Sequence, residues 1–237
     1  MKKLSIVRLI PNIFTFISLT LGLTSLKFAL EFKWEVSVSL IVFASFLDNL
    51  DGKIARLLKS NSNFGAELDS LADFLSFGVA PALIVFFWNL SENISNSWAF
   101  VIFYSICASS RLAKFNIDSM DKNKDSEIKF FYGISTPAAA GLVLLPMMIY
   151  FRFEIDFFIN PFLTAGLIIF SAIMMIANFP SYSLKGMKIS KNIIPLFIVL
   201  FAGFISLLIT DFWLAMIILI STYFLSIPLA FIHSKKT

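Results

Sequence analysis

Eight apolar stretches limit what this chain can fold into. Each is close to the length of about 20 residues that crosses a bilayer as a helix. They cover residues 12–30, 35–58, 67–90, 98–117, 136–152, 162–179, 193–210 and 212–232. Hydrophobic residues make up 58% of the chain, the mean hydropathy is +0.86, and 14% of the residues are charged, against about 25% in soluble domains. The sequence therefore predicts an all-α integral membrane protein with about eight transmembrane helices, forming one membrane domain over residues 1–237.

The distribution of basic residues predicts the orientation in the membrane. If the N-terminus is cytoplasmic, all of the 19 Lys and Arg residues except Lys27, Lys33 and Arg152 lie on the cytoplasmic side. This asymmetry favours both termini inside, in the cell membrane. Residues 1–11 are basic, with apolar residues at helical spacing, and are typical of an amphipathic segment on the membrane surface. The net charge of +4 favours anionic lipids as partners, and the sequence contains no nucleic-acid-binding motif.

Four aspartates interrupt this apolar pattern within a short window. Asp48 and Asp51 fall near the end of the second stretch, and Asp69 and Asp73 fall near the start of the third. At about 100° per residue, the members of each pair share one helix face. The connection between the two helices is short, so the helices are antiparallel neighbours. The sequence thus predicts four carboxylates converging at the cytoplasmic ends of two helices.

Carboxylates that lie this close repel one another unless cations sit between them. The single histidine, His233, is at the C-terminal end, and the single cysteine, Cys107, is interpreted as a small buried hydrophobe. Oxygen ligands alone favour Mg²⁺, Mn²⁺ or Ca²⁺ over zinc, and four shared carboxylates favour two ions, a common device for displacement at phosphorus. Intramembrane carboxylates also mark ion pathways, so the residues alone leave a cation transporter open.

The window also resembles a known signature. From Asp48 to Asp73 it reads D-x2-D-G-x2-A-R-x8-G-x3-D-x3-D, and every fixed position of the CDP-alcohol phosphotransferase signature is present. Pro11, Asn12 and Thr15 are similar to the N-terminal motif of that family. SFGVAPA (76–82), RLAKFN (111–116) and FYGISTPAAAG (131–141) resemble its phosphatidylserine synthase branch. These motifs make residues 12–152 the expected catalytic part, with residues 153–237 completing a six-helix core plus two C-terminal helices.

The resemblance implies a reaction and a set of roles. The expected reaction transfers a phosphatidyl group, or its ether-lipid equivalent, from a CDP-lipid to the hydroxyl of L-serine and releases CMP. Asp48, Asp51 and Asp69 would hold one Mg²⁺ or Mn²⁺, and Asp48, Asp69 and Asp73 a second, with Ca²⁺ as a non-productive occupant; Asp73 would also be the general base. The expected CDP-lipid pocket comprises Asn12, Thr15, Gly52, Ala55, Arg56, Lys59, Ser62 and Gly65. The resemblance also implies a homodimer.

The acceptor is assigned less directly. Arg111, at the cytoplasmic end of the fourth stretch, is the expected partner of the serine carboxylate, with Lys129, Tyr132 and Thr136 as further acceptor-binding candidates. The alternative interpretation of Arg111 is a charge that fixes topology and pairs with the aspartates. Glycerol phosphate, inositol and inositol phosphate remain open as acceptors, because nearby basic residues would suit a phosphorylated substrate. The later stretches have no mid-span acid, which disfavours a transporter.

Overall fold

The computed structural model describes residues 10–58, 62–120, 130–177, 180–182 and 194–234. Eight helices occupy these ranges: α1 Ile10–Leu30, α2 Trp34–Leu57, α3 Asn63–Leu90, α4 Trp98–Met120, α5 Thr136–Phe153, α6 Pro161–Ile176, α7 Ile194–Thr210 and α8 Phe212–Ser234. The eight predicted helices are confirmed, with ends that differ by a few residues. Of the amphipathic segment predicted over residues 1–11, only Ile10 and Pro11 lie within the described residues, where they begin α1.

Length and composition alone identify three of the described helices as able to cross a membrane. These are α1, α3 and α5, while shorter apolar helices cover Pro161–Ile176, Pro195–Thr210 and Phe212–Ile227. Helix α2 carries Asp48 and Asp51 near its C-terminal end, and α4 carries Arg111 near its own. These charged groups reduce the apolar character of α2 and α4, and they lie at the same end of the bundle. A membrane protein is therefore supported, with polar groups gathered at one end of its helices.

Small residues bring the first three helices close together. A Cβ on Gly22 of α1 would lie 2.3 Å from Ser76 Oγ of α3, so only a glycine permits this crossing. The Ser18 hydroxyl donates to the Ala44 carbonyl at 3.0 Å and the Ser37 hydroxyl donates to the Ser25 carbonyl at 2.8 Å. Small side chains at contacts and hydroxyls bonded across helices are the usual means of holding membrane helices together. They fix α1, α2 and α3 as one unit.

Helix α3 is not a regular α-helix throughout. It is π-helical over Phe74–Val79 and again over Phe86–Leu90. The first π-helical segment begins immediately after Asp73, and the Gly78 position within it is packed against Ala108 of α4, which a Cβ would approach to 2.8 Å. Such segments are frequent next to functional sites. Here the change in winding follows directly after the second aspartate pair.

The all-α prediction missed one short sheet. Strand β1 (Phe130–Tyr132) pairs antiparallel with β2 (Pro180–Tyr182), with Phe131 opposite Ser181. Gly133 follows β1 with φ of +70°, and a Cβ there would lie 2.9 Å from the carbonyl oxygens of Met174 and Met175 at the end of α6. A glycine is therefore required for the chain to pass α6 at this distance. We call residues Gly133–Ser135 the α6 crossing.

The end of the bundle opposite the aspartates carries paired charges. The Lys27 and Lys33 ammonium groups lie 3.4 Å and 2.8 Å from the Glu31 carboxylate. The hydrogen bond from Lys33, and then that from Lys27, lower the pKa of Glu31, so this carboxylate stays ionised at neutral pH. Arg152, at the end of α5, pairs with Asp211 in the turn between α7 and α8. All three basic residues assigned by sequence to the external side are thus paired with acids.

Replacing Gly22 by alanine tests the close crossing of α1 and α3. The new methyl group overlaps Ser76, and overpacking of this kind typically destabilises by about 1–3 kcal/mol. Gly166→Ala in α6 is the matched control, because nothing lies within 4 Å of the added Cβ. Thermal unfolding of purified protein in detergent should show a lower midpoint for Gly22→Ala and no decrease for Gly166→Ala. Equal midpoints would contradict the packing described for Gly22.

Candidate active site

The four aspartates converge where α2 and α3 meet. One carboxylate oxygen from each of Asp48, Asp51 and Asp69 lies within 4.8 Å of the other two. The Asp73 side chain is hydrogen-bonded to that of Asp48. Two carboxyl groups form such a bond only when they share a proton, and a bridging cation would hold them together equally well. We call these four residues the aspartate cluster, and the convergence that the sequence predicted is confirmed.

The cluster fits the binding of a divalent cation. Asp69 Oδ1 is buried and has no hydrogen-bond partner among the residues that the structure describes. A buried polar atom of this kind requires a partner, and a cation is one that the neighbouring carboxylates would also accept. The oxygen-only donor set suits Mg²⁺ or Mn²⁺. Cys107 lies elsewhere and is buried, as the sequence predicted.

Helix α1 supports the cluster from one side. The Thr15 hydroxyl lies 2.7 Å from Asp51 Oδ2 and also 3.2 Å from the Pro11 carbonyl oxygen. Both Thr15 and Asp51 are buried, so this hydrogen bond is shielded from water and fixes the Asp51 carboxylate. The N-terminal motif seen in the sequence is therefore placed directly against the aspartate cluster.

A cavity of about 250 Å³ opens beside the cluster. Its walls include Asp51 and Asp69 from the cluster and six residues expected to bind the CDP-lipid, namely Asn12, Thr15, Gly52, Arg56, Ser62 and Gly65. A Cβ on Gly52 would meet nothing closer than Arg56 Nη1 at 3.9 Å, so the glycine leaves volume in the cavity. The Arg56 guanidinium provides positive charge opposite the carboxylates.

The start of α3 closes the cavity on another side. The Gly65 backbone N–H donates to Ser62 Oγ at 3.0 Å, which caps the helix. A Cβ on Gly65 would lie 3.2 Å from Asn12 Oδ1, so α1 and α3 approach closely at this point. These contacts position Asn12, Ser62 and Gly65 together, as expected from the sequence.

A second group of polar residues is connected with Asp73 through Arg111. The Arg111 Nε donates a hydrogen bond to the Ile134 carbonyl oxygen in the α6 crossing. The Arg111 guanidinium also interacts electrostatically with Asp73 and with Tyr223 of α8. Two residues after Ile134, Thr136 is buried, and its hydroxyl has no partner among the described residues. Arg111 and Thr136, both expected to bind the acceptor, are thus brought to one region next to Asp73.

Comparison with known proteins decides the family. The model of the CDP-alcohol phosphatidyltransferase family matches residues 8–179. This chain belongs to that family. It is therefore a CDP-alcohol phosphotransferase, and its aspartate cluster and adjoining cavity occupy the matched region.

Three relatives share the name CDP-diacylglycerol–serine O-phosphatidyltransferase. The protein from Mycobacterium leprae is 30% identical over 97% of this chain and 76% of its own length. The protein from Helicobacter pylori J99 is 37% identical, over 76% of this chain and 74% of the relative. The protein from Mycobacterium tuberculosis H37Rv is 31% identical, over 78% of this chain and 65% of the relative. Phosphotransferases named for serine are therefore similar to most of this chain.

Several residues expected at the site have no described side chain. Lys59 and Lys129 lie outside the described residues. Ala55 lies in α2 and Tyr132 in β1, but the structure describes only their backbone. Their predicted roles in binding the CDP-lipid or the acceptor remain predictions.

Two features near the site were missed in the sequence. The Ser70 hydroxyl lies 2.9 Å from Asn116 Oδ1, so α3 is tied to α4 between Asp69 and Asp73. Asn116 belongs to the RLAKFN motif, which was noticed without a role for its asparagine. Tyr223 lies in a helix without a recognisable motif, and no pattern in the sequence connects it with Arg111. Both contacts join side chains that are far apart in the sequence and that only the packing of the helices brings together.

Removing one carboxylate from the cluster should weaken cation binding. We expect Asp69→Asn to reduce Mn²⁺ affinity by at least about tenfold, since even outer-shell changes reduce metal affinity by about 10–100-fold. Glu67→Gln is a matched control, because Glu67 is an exposed acid on the same helix. Titration of purified protein with Mn²⁺, followed by electron paramagnetic resonance, measures both. Unchanged affinity in Asp69→Asn would contradict the assignment of the cluster.

Proposed function

We propose that this protein transfers the phosphatidyl group, ester- or ether-linked, of a CDP-lipid to the side-chain hydroxyl of L-serine and releases CMP. The observation that carries this proposal is that the aspartate cluster adjoins two groups of polar residues. Asp51 and Asp69 line the cavity together with Arg56, while Asp73 interacts electrostatically with Arg111. A nucleotide donor and a small charged acceptor would meet at the cluster in this arrangement. The names of the three relatives support serine as the acceptor.

The cavity is proposed to hold the cytidine diphosphate part of the donor. Arg56 would neutralise phosphate oxygens, and Gly52 and Gly65 would let the donor approach the helix backbone. Asn12, Thr15 and Ser62 offer polar contacts around the same volume. Ala55 and Lys59 are proposed to extend this pocket. The lipid tails would then leave the site toward the bilayer.

The cluster is proposed to bind two divalent cations, Mg²⁺ or Mn²⁺. Asp48, Asp51 and Asp69 would hold the first, and Asp48, Asp69 and Asp73 the second. Bound cations would neutralise the pyrophosphate and make its phosphorus more electrophilic. Two kinds of neighbour support the shared position proposed for Asp48, namely the carboxylates of Asp51 and Asp69 and the hydrogen-bonded Asp73.

Asp73 is proposed to accept the proton of the serine hydroxyl. As the proton moves to the Asp73 carboxylate, the serine oxygen forms a bond to the lipid-bearing phosphorus. The bond from this phosphorus to the bridging oxygen breaks, and CMP leaves with the electron pair. Arg111 would hold the serine carboxylate, and Thr136, Lys129 and Tyr132 are proposed to surround the amino acid. Asp73 is the member of the aspartate cluster that interacts electrostatically with Arg111, so a serine held by Arg111 would have its hydroxyl close to this base.

The reaction is proposed to occur at the cytoplasmic face of the cell membrane, with both termini inside. The three basic residues assigned to the other face are each paired with an acid, and the other 16 Lys and Arg residues of the sequence are assigned to the cytoplasmic side. We also propose, from the family, that residues 1–237 form a single membrane domain and that the protein is a homodimer.

An acceptor panel tests the proposed function. Purified protein is incubated with CDP-diacylglycerol, Mn²⁺ and one acceptor, and CMP is measured. L-serine should release CMP well above the rate without acceptor, and a chelator should abolish release. If glycerol phosphate, inositol or inositol phosphate supports release and serine does not, the assignment of serine is wrong while the CDP-alcohol chemistry stands.

Two conservative substitutions separate binding from catalysis. Asp73→Asn keeps the shape of the side chain but cannot accept the proton, and loss of a general base typically slows a reaction by about 10²–10⁴-fold. Asp48→Asn should weaken CDP-lipid binding as well, because Asp48 is proposed to contact both cations. Binding and single-turnover CMP release are measured for each variant. Near-normal turnover by Asp73→Asn would place the base elsewhere, and loss of CDP-lipid binding equal to that of Asp48→Asn would make Asp73 chiefly a ligand.

A further inference from the structure

The first part of α3 carries two of the four aspartates but is packed less tightly than the rest of the helix. Within Asn63–Asp73 the one buried residue is Ala72, whereas most residues from Ser76 to Leu90 are buried. The π-helical segment Phe74–Val79 joins the two parts. Burial of apolar side chains therefore contributes little to fixing the position of the segment that carries the aspartates.

Asn116 of α4 contacts this part of α3. The Ser70 hydroxyl lies 2.9 Å from Asn116 Oδ1, and both side chains are partly buried. Asn116 Nδ2 also lies 3.4 Å from Glu67 Oε2, in an exposed contact that is long for a hydrogen bond. Ser70 directly follows Asp69 and comes three residues before Asp73. The bond from Ser70 therefore joins α3 to α4 in the interval between the two aspartates.

This bond is a second point of attachment for the segment. At its start, the Gly65 N–H donates to Ser62 Oγ, and the Asn12 side chain lies close to Gly65. Ser70 is five residues further along the helix, about 7.5 Å at a rise of 1.5 Å per residue. Ligands that share a cation must be held to within about 0.5 Å. A helix segment attached only at its start does not meet that requirement as well as one attached at two points.

We propose that Asn116 is a positioning residue for the cation site. Through the Ser70 hydroxyl, it holds the two aspartates of α3 where they share a cation with the two aspartates of α2. This inference rests on the cation binding in the proposed function and does not depend on serine as the acceptor. Without the bond, α3 also populates positions in which the carboxylates do not converge. The apparent affinity for the cation then falls in proportion to the population that remains competent.

Titration with Mn²⁺, followed by electron paramagnetic resonance, tests the inference without requiring turnover. Asn116→Ala and Ser70→Ala should each reduce the affinity of the purified protein for Mn²⁺ by about three- to tenfold, the range expected for the loss of one hydrogen bond. The double variant should lose no more affinity than the single variants, because all three lack the same bond. Ser70→Thr keeps the hydroxyl and should bind Mn²⁺ as the wild type does.

Ser109→Ala is the matched control on α4. The Ser109 hydroxyl donates to the Ile106 carbonyl of the same helix at 2.9 Å, and the side chain is exposed. Removing this hydroxyl leaves the contact between α3 and α4 intact. The Mn²⁺ affinity and the thermal unfolding midpoint of this variant should therefore equal those of the wild type.

The outcomes separate the inference from the function on which it rests. Unchanged Mn²⁺ affinity in Asn116→Ala and Ser70→Ala would overturn the inference even if their thermal midpoints fall, since Asn116 would then have only a structural role. Losses that add in the double variant would also overturn it, and if one single variant does not fold, the other decides. If the wild type binds no Mn²⁺, the proposed cation site is wrong and the inference with it. If the wild type binds Mn²⁺ but does not use serine, the acceptor assignment alone is wrong, and the variants still decide the inference.

Discussion

Four carboxylates packed together at the end of an apolar helix bundle are the constraint on which the rest of this structure depends. Like charges at this separation repel strongly where the surroundings are poorly hydrated. Two hydrogen bonds reduce this repulsion. The Thr15 hydroxyl is hydrogen-bonded to the Asp51 carboxylate, and the Asp48 and Asp73 side chains are hydrogen-bonded to each other. The buried oxygen of Asp69 is left for a partner from outside the chain. A cation bound to the cluster would reduce the repulsion between the carboxylates and would also give the Asp69 oxygen a partner.

Close contacts between the apolar helices hold the four aspartates of the cluster near one another. Gly22 lets α1 approach Ser76, and Gly78 lets α3 approach Ala108. With bulkier residues the helices would separate, and the carboxylates, which project only a few ångströms from their backbones, would no longer converge. The Ser70–Asn116 hydrogen bond ties α4 to α3 between the two aspartates of that helix. Arg111, on the same helix α4, is thereby fixed relative to Asp73.

Much of this arrangement could be predicted because it depends on local spacing. Aspartates three or four residues apart on a helix share a face whatever the helix packs against, so Asp48, Asp51, Asp69 and Asp73 were placed correctly. The β1–β2 pair was missed because each strand has three residues and no alternating pattern to reveal it. The anchor of Arg111 is a backbone carbonyl, which no side-chain pattern encodes. The position of Tyr223 depends on how α8 packs against the earlier helices, and the sequence alone does not predict that packing.

The central claim is that the serine hydroxyl attacks phosphorus beside the aspartate cluster, and isotope labelling tests it most directly. Serine labelled with ¹⁸O in its hydroxyl is incubated with the protein, CDP-diacylglycerol and Mn²⁺, and both products are analysed by mass spectrometry. The account predicts that the label appears in the phospholipid, since the bond from carbon to oxygen stays intact, and that CMP contains none. Release of CMP with unlabelled phosphatidic acid, and no labelled phospholipid, would contradict it by showing that water and not serine is the acceptor.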